Sequence, residues 1–352
     1  MNSVPDEVCR RLQAADQSHL TMWWGHLTVA QQQTLLQQIQ KLDLEQIGRL
    51  TDRTGDHHAP PKAQPPADRV SRATAPSMVI RQPQTPEEAR AREEAAVVGR
   101  QLLGEGKVAV VTVAGGQGSR LGFEHPKGMY PIGPLTSRSL FQIFAEQIQA
   151  RSKKCGRDIP WLIMTSSTTH DETTAFFEAH HYFGLQRDQV FFFPQADLPA
   201  VDAATGKLLL REKHELNLAP DGHGGLVTAL AAHGLLDRLA VMGIEDVFYH
   251  QVDNPAVIIC DPVLIGLHRI HRSELTTNVV RKLEPSERMG VLAEVDGRIE
   301  IIEYSEMSLE DASRTDANGD WIFWAGNTAI HVFSLEFLRR LTSGDQQLEL
   351  HV

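Results

Sequence analysis

Cysteine is scarce: Cys9, Cys155 and Cys260 are the only three in 352 residues. They are too few and too far apart for a disulfide framework or a zinc knuckle, so reduced thiols in a cytoplasmic protein are expected. No run of about 18 apolar residues occurs, which predicts no membrane-spanning helix. The opening MNSVPDEVCRRLQAAD holds no apolar h-region, which predicts no secretory signal. Basic charge is in deficit as well: 34 Lys+Arg stand against 45 Asp+Glu, a formal net charge of −11. That balance argues against coating nucleic acid or an anionic membrane. It leaves room for a local basic pocket around a small phosphorylated ligand. The strings G-x-S-x-G and H-E-x-x-H are missing, so serine-hydrolase and zinc-protease chemistries have no support. What is present is the composition of a globular protein, 41% hydrophobic and 22% charged, in a length that suits two or three domains.

Residues 1–53 read as a small helical element. Thr28 with Gln31 forms a capping-box pattern, Asp43 with Gln46 a looser one, and Leu35, Leu36, Ile39 and Leu42 recur at helical spacing. Trp23 and Trp24 beside them are expected to pack. Residues 54–84, with Pro60, Pro61, Pro65, Pro66, Pro76 and Pro83, read as a linker or extended wrap, because proline fixes φ and removes donors. Order resumes at Thr85-Pro86-Glu87-Glu88, a cap, a proline at N1 and a capping glutamate; the helix is expected to end near Leu103 with Gly104 as its stop. From there to residue 352 strands and helices alternate: KVAVVTVAGG, WLIMTSS, QVFFFPQ and DVFYHQVDN as strands, SRSLFQIFAEQIQAR, ETTAFFEAHHYFG and GGLVTALAAHGLLDRL as helices. GVLAEV-DG-RIEIIEY predicts a hairpin on an Asp-Gly turn, and NTAIHVFSLEFLRRL a strand and helix. The expected fold is α/β, a mostly parallel, Rossmann-like sheet flanked by helices with one inserted hairpin.

Chemistry concentrates in three places. The first is Val113-Ala-Gly-Gly-Gln-Gly-Ser-Arg-Leu-Gly122 followed by Pro126-Lys127-Gly128, directly after the first strand. Gly115, Gly116 and Gly118 let backbone approach a ligand, successive N–H groups in such a turn make an anion nest, and ligands of open α/β sheets bind at the carboxyl ends of strands. Arg120 and Lys127 add a donor fork and a point charge, a pair suited to a polyphosphate. The spacing G-x-G-x-x-x-G is neither the dinucleotide fingerprint nor a Walker loop, so a nicotinamide oxidoreductase lacks its motif. The second is Asp253-Asn254 at the end of DVFYHQV, where a carboxylate commonly holds Mg²⁺ against substrate phosphates. The third is Pro220-Asp-Gly-His-Gly-Gly225, opening a helix, where glycines admit a base or a sugar. His268 and His271 share one helical face, but surface or packing roles are commoner for histidine than a metal site; His57-His58 and His180-His181 have no partner in view.

AGGQGSRLG followed by PKG resembles the signature of the sugar-nucleotide pyrophosphorylases. The longer AGGQGSRLGFEHPKGMYPIGPLTSRSLFQI is similar to the eukaryotic-type UDP-N-acetylhexosamine pyrophosphorylases of the UTP-dependent family. The resemblance runs collinearly through WWGHLTVAQQQTLLQQIQKLDLEQI, MTSSTTHDETTAFFEAHHYFGL, FFFPQADLPAVD, APDGHGGLVTAL, QVDNPAVIICDPVLIGL, EYSE and GNTAIHVF. It implies a nucleotidyltransferase GT-A-like fold and a uridylyltransferase that joins UTP and a sugar 1-phosphate, with Mg²⁺, into a UDP-sugar and pyrophosphate. By motif, Val113, Ala114, Gly115 and Gly116 would cradle UTP. Arg120 and Lys127 would act on its phosphates, Gln195 and Gly222 would meet the uridine end, and Asp253 would hold Mg²⁺ at the α-phosphate. His223, Glu303, Tyr304 and Asn327 would line the sugar pocket. The N-acetylhexosamine enzymes usually carry Asn where His223 stands, and G-H-G is similar to the UDP-glucose enzymes. The resemblance as a whole implies N-acetylglucosamine 1-phosphate as the expected sugar, and the departure at His223 makes a UDP-glucose or broad-specificity enzyme the alternative. The family chain continues past GNTAIHVF, so its C-terminal domain is expected to be absent here. A truncated, non-catalytic nucleotide- or UDP-sugar-binding module is the expectation of another class. The oligomeric state stays open.

Overall fold

The computed structural model describes residues 3–51 and 66–343. They fall into two compact units, one from 3–51 and 196–221, the other from 66–195 and 222–343. In chain order the strands are β1 Val108–Val113, β2 Trp161–Thr165, β3 Val190–Pro194, β4 Asp197–Pro199, β5 Leu210–Glu212, β6 Glu215–Leu216, β7 Leu218–Pro220, β8 Asp246–Gln251, β9 Leu275–Arg281, β10 Val291–Val295, β11 Arg298–Ile302 and β12 Ala325–Ser334.

In the first unit, helices Asp6–Ala14, Val29–Lys41 and Leu44–Thr51 enclose a small core. The predicted box is present: Thr28 Oγ1 accepts from Gln31 N–H at 3.3 Å, and Gln31 Oε1 accepts from Thr28 N–H at 2.9 Å. Leu35, Leu36, Ile39 and Leu42 are buried with Val8, Leu12, Leu20 and Trp24. Trp23 lies under the Lys213 ammonium, 4.6 Å from the ring centre. Asp43 accepts from Ile47 N–H through its backbone, and the side chain of Gln46 lies outside the described residues. Residues 196–221 join this unit through Leu208 and Leu216, which enter the same core. Two glutamines fix them by bonding backbone: Gln17 accepts from Leu208 N–H at 2.9 Å and donates to Gly206 O at 3.1 Å, and Gln38 accepts from Leu216 N–H at 2.9 Å. The structure thus groups 196–221 with the N-terminal helices rather than with the α/β run that flanks it in sequence.

The second unit is built on an eight-stranded sheet ordered β11-β10-β12-β8-β1-β2-β3, with β9 pairing on β12. β8, β1, β2 and β3 are parallel neighbours. Their apolar runs are buried on both faces, as continuous hydrophobic strands require. Val108 and Val110 point into a core with Phe141, Phe144, Ile148, Trp161 and Phe177; Ala109 and Val111 point into another with Leu162, Met164, Leu230, Leu236 and Leu338. Helix Pro86–Gly104 carries the predicted Thr85–Glu88 box and packs on helix Pro262–Ile270. β10 and β11 form the expected hairpin, with Asp296 and Gly297 at φ 50° and 79° as a type I′ turn demands. Among the described residues no helix is long and apolar enough to cross a membrane.

Several local expectations are revised. Of the stretch expected as linker, 54–65 lies outside the described residues, while Pro66–Arg72 is helical. Val70 is fully buried against Val291, Ala293, Val295 and Phe323. Arg69 pairs with Glu306 at 2.6 Å, so this segment covers the hairpin sheet. Helix Pro86–Gly104 includes Gly104, and Gly106 (φ 72°) takes the left-handed position after it. The single helix expected over GGLVTALAAHGLLDRL is two, Leu226–Ala232 and Leu235–Val241, broken where Gly234 adopts φ 64°. β9 and β12 add antiparallel pairing beyond the one hairpin expected.

Candidate functional site

The parallel register places the chemistry at one edge. Val113 stands opposite Met164 of β2 and Gln251 of β8, so the loops after these three strands leave the sheet together. Val252 N–H donates to Val113 O at 3.0 Å, Ala114 N–H to Met164 O at 2.7 Å and Gln195 N–H to Thr165 O at 2.8 Å. Ala114, Gln195 and the turn carrying Asp253 are thereby gathered at the carboxyl ends of the strands.

The glycine-rich loop is held by its own backbone. Gly118 N–H donates to His125 O at 2.9 Å, and Lys127 N–H to Gly116 O at 3.0 Å. A Cβ on Gly118 would lie 2.8 Å from the Phe123 ring and 2.9 Å from its carbonyl oxygen, so only glycine fits there. His125 pairs with Glu172 of helix His170–Ala179, anchoring the far end. Among the described residues the N–H groups of Gly115, Gly116 and Gln117 find no acceptor. Three successive backbone donors are thus available to an anion at this strand end. Gln195, buried, flanks it: its Oε1 lies 3.0 Å from where a Cβ of Gly115 would sit.

Lys127 and Asp253, 126 residues apart in sequence, meet here: Nζ donates to Oδ2 at 3.1 Å. The ammonium also lies 3.9 Å from the Cβ position of Gly116. Asp253 is half-exposed, its side chain at 50%, and so is open to an incoming cation. Arg120 is exposed on the short helical turn Ser119–Leu121 and makes no hydrogen bond or ion pair among the described residues.

The sugar-side candidates form a second group joined to the first. Asn254 Nδ2 donates to Thr328 O at 3.4 Å, tying the Asp253 turn to a bulge in β12 between Asn327 and Ile330. Asn327 N–H donates to Gly290 O at 2.8 Å, and its side-chain oxygen accepts from Ala329 N–H at 2.9 Å, while its amide NH₂ makes no hydrogen bond among the described residues. Glu303 Oε1 lies 3.0 Å from where a Cβ of Gly290 would stand. Tyr304 is half-exposed and makes no hydrogen bond among the described residues. Gly222 adopts φ 78° with open space about it, and the side chain of His223 lies outside the described residues. Val113, Ala114, Gly115, Gly116, Lys127, Gln195 and Asp253 are therefore brought together, as are Glu303 and Asn327. Arg120, Tyr304 and Gly222 are not drawn in by any contact.

Sequence inspection missed two groups and gave Asp221, inside Pro220-Asp-Gly-His-Gly-Gly225, no role of its own. Ser166 is buried beside Gly115. A buried polar string crosses the parallel strands: Trp161 Nε1 donates to Thr112 Oγ1 at 2.7 Å, and Thr112 Oγ1 meets His250 Nε2 at 2.8 Å. Burial drives His250 down to about 4. In the first unit, burial first and the charge of Asp197 second push the Asp221 carboxyl up to about 6. A serine, a threonine or a histidine in an apolar strand carries no motif, so only an odd polar residue at a buried position signals such roles. His268 is buried, with its Nδ1 2.8 Å from Thr276 Oγ1, and no cluster of three or more metal-type ligands occurs among the described residues.

A family model described as UTP–glucose-1-phosphate uridylyltransferase matches residues 69–352. UDP-N-acetylhexosamine pyrophosphorylase-like protein 1 of Xenopus tropicalis is 36% identical over 353 residues, spanning 97% of this chain and 68% of its own. UDP-N-acetylglucosamine pyrophosphorylase of Saccharomyces cerevisiae is 41% identical over 248 residues, 69% of this chain and 52% of its own. The crystal structure of the uridine diphosphate N-acetylglucosamine pyrophosphorylase of Trypanosoma brucei has a TM-score of 0.79 at 28% identity, covering 97% of this chain and 69% of that one. The chain thus spans about two thirds of the frog protein and about half of the yeast one. A match running from residue 69 to residue 352, over the same loop, strand ends and hairpin that compose the site, places the chain in the UTP–glucose-1-phosphate uridylyltransferase family.

Proposed function

We propose that this protein is a uridylyltransferase that forms a UDP-sugar from UTP and a sugar 1-phosphate, with N-acetylglucosamine 1-phosphate as the sugar substrate. A phosphate oxygen of the sugar phosphate attacks the α-phosphorus of UTP in line; the bond from that phosphorus to the β-phosphate bridging oxygen breaks, and pyrophosphate leaves with the electron pair. No covalent enzyme intermediate is needed, so catalysis rests on positioning and charge neutralisation. The observation that carries this reading is the Lys127–Asp253 pair at 3.1 Å, set beside three unpaired backbone donors. The N–H groups of Gly115, Gly116 and Gln117 and the Lys127 ammonium face the triphosphate, Arg120 swings in from solvent, and Gln195 and Gly222 meet the uridine. Glu303, Tyr304, Asn327 and His223 hold the sugar.

The donor set fits Mg²⁺. Asp253 offers one hard, half-exposed oxygen ligand, and Mg²⁺ is typically held by one or two carboxylates together with substrate phosphates and water. Bound there, Mg²⁺ would neutralise charge on the phosphate oxygens. A cytoplasmic setting suits the three free thiols, Cys9, Cys155 and Cys260.

The test is pyrophosphate release with UTP, Mg²⁺ and a panel of sugar 1-phosphates. N-acetylglucosamine 1-phosphate is expected to give the highest kcat/KM. Preference for glucose 1-phosphate would reassign the sugar, and UTP binding without turnover on any sugar would leave only a nucleotide-binding module.

A further inference from the structure

We infer that Ser166 is a positioning residue for the nucleotide, fixing the direction of the backbone donors in the glycine-rich loop; this inference rests on the function proposed above. Ser166 follows β2 and is fully buried. Its Oγ donates to Gly115 O at 2.8 Å. Thr169 supports it from behind: Thr169 Oγ1 accepts from Ser166 N–H at 3.0 Å and lies 3.0 Å from Ser166 Oγ, to which it can give its own proton. Thr168 Oγ1 lies at 3.0 Å from the same oxygen.

The consequence follows from peptide geometry. A trans peptide unit is planar, so its C=O and the next residue's N–H point in opposite directions. Holding Gly115 C=O against Ser166 aims Gly116 N–H away from the sheet edge, toward the space in front of the loop. The next unit is treated in the same way, because Lys127 N–H holds Gly116 C=O and so aims Gln117 N–H. Two glycines in succession would otherwise let these planes rotate freely, and a rotated plane presents an oxygen where the nucleotide needs a donor. Gln195 and Ser166 face the same side of Gly115: its Cβ position lies 3.0 Å from Gln195 Oε1 and 3.4 Å from Ser166 Cβ, so the pinned peptide adjoins the proposed uridine contact. In this assignment Ser166 acts through the loop rather than on the ligand directly. Its effect should fall on the nucleotide and spare the sugar phosphate.

The experiment compares Ser166→Ala, Ser166→Thr and Thr169→Ala with the unaltered chain. It reads KM for UTP and for the sugar 1-phosphate separately, and UTP affinity by calorimetry. Ser166→Ala should raise KM for UTP and weaken UTP binding by about tenfold, the order of one lost hydrogen bond, with KM for the sugar phosphate changed less than about twofold. Ser166→Thr, which keeps the hydroxyl, should restore most of the loss. Thr169→Ala should give a smaller loss of the same selectivity, and decides the matter if the alanine at 166 does not fold. An alanine variant with unchanged UTP affinity, a rise in both KM values together, or a threonine variant as impaired as alanine overturns the role of Ser166. If the unaltered chain itself binds no UTP, the proposed function falls and this role with it. If it binds UTP and Ser166→Ala binds equally well, only the role of Ser166 falls.

Discussion

His250 gives the sharpest quantitative prediction, because its partners fix its proton. Trp161 Nε1 can only donate, so Thr112 Oγ1 accepts there at 2.7 Å and keeps its own hydrogen available to His250 Nε2, while His250 Nδ1 lies 3.2 Å from Gln251 O, a carbonyl to which it donates. Burial keeps the imidazole neutral, and with Nδ1 donating to Gln251 O its single hydrogen sits on Nδ1, leaving Nε2 to accept from Thr112. Burial lowers its folded pKa to about 4, against about 6.5 in an unfolded chain. For a base depressed on folding, the stabilisation is complete above the unfolded value and is lost as pH falls from about 6.5 toward about 4. Linkage puts the loss between pH 6.5 and 4.5 at about 2 kcal/mol. His250→Gln removes this titration. Its absolute stability falls, but the difference in unfolding free energy between the two pH values should shrink by about 2 kcal/mol relative to wild type, read from urea melts at both. Equal losses in variant and wild type would show that His250 carries its charge in the fold, and would refute the assignment. A residual slope is expected from His268, which burial also lowers to about 4.

Three further outcomes follow. Lys127→Ala and Asp253→Ala should each lower kcat/KM by roughly 10²-fold or more through lost charge compensation. Because a half-exposed pair contributes little to stability, melting temperatures should barely move; near-normal rates in both variants would mean that the site is misplaced. Gly266→Ala should destabilise by about 2 kcal/mol or more in a urea melt, since its Cβ would collide with Ala95 O where helices Pro86–Gly104 and Pro262–Ile270 meet; unchanged stability would deny that close crossing. Asp221→Asn should be stabilising at pH 8 relative to pH 5. A carboxyl raised to about 6 on folding favours the native state below its unfolded value and loses that contribution as pH rises through about 6, whereas the amide has nothing to lose; a pH-independent effect would show that Asp221 is ionised at both values.

What the sequence made legible depends on how each residue announces itself. AGGQGSRLG could be read because glycines at a strand end have few other uses, and Asp253 because a carboxylate closing an apolar strand is out of place. The parallel strands were readable because burial on both faces leaves no polar alternation. β9, LTTNVVR, escaped notice because it is an edge strand, mostly exposed, with no pattern to detect. Helix Pro66–Arg72 was hidden by the surrounding prolines, although Pro66 stands at its first position, where proline costs least. The return of 196–221 to the N-terminal helices depends on Gln17 and Gln38 bonding backbone, which no periodicity records. Ser166 was invisible for the same reason: its partner is a carbonyl 51 positions away.

The pairing of Lys127 with Asp253 also bears on how such a site is kept ready. Two opposite charges at 3.1 Å, one of them half-exposed, hold each other in place without being locked, since pairs of this kind contribute about 0–1 kcal/mol. On the function proposed above, a triphosphate would bring several negative charges and a divalent cation with it. It offers the ammonium a stronger partner than one carboxylate, and it offers the carboxylate a cation of twice the charge. Both ends of the pair are then better satisfied apart than together, and the energy to part them is small. The unpaired N–H groups of Gly115, Gly116 and Gln117 add attraction that needs no rearrangement, because the backbone is already held at Gly115 O and Gly116 O. A sugar phosphate alone would bring less charge and no reason to leave Asp253 unpaired, so on the proposed function nucleotide is expected to enter first, and product-inhibition kinetics showing sugar phosphate entering first would refute it.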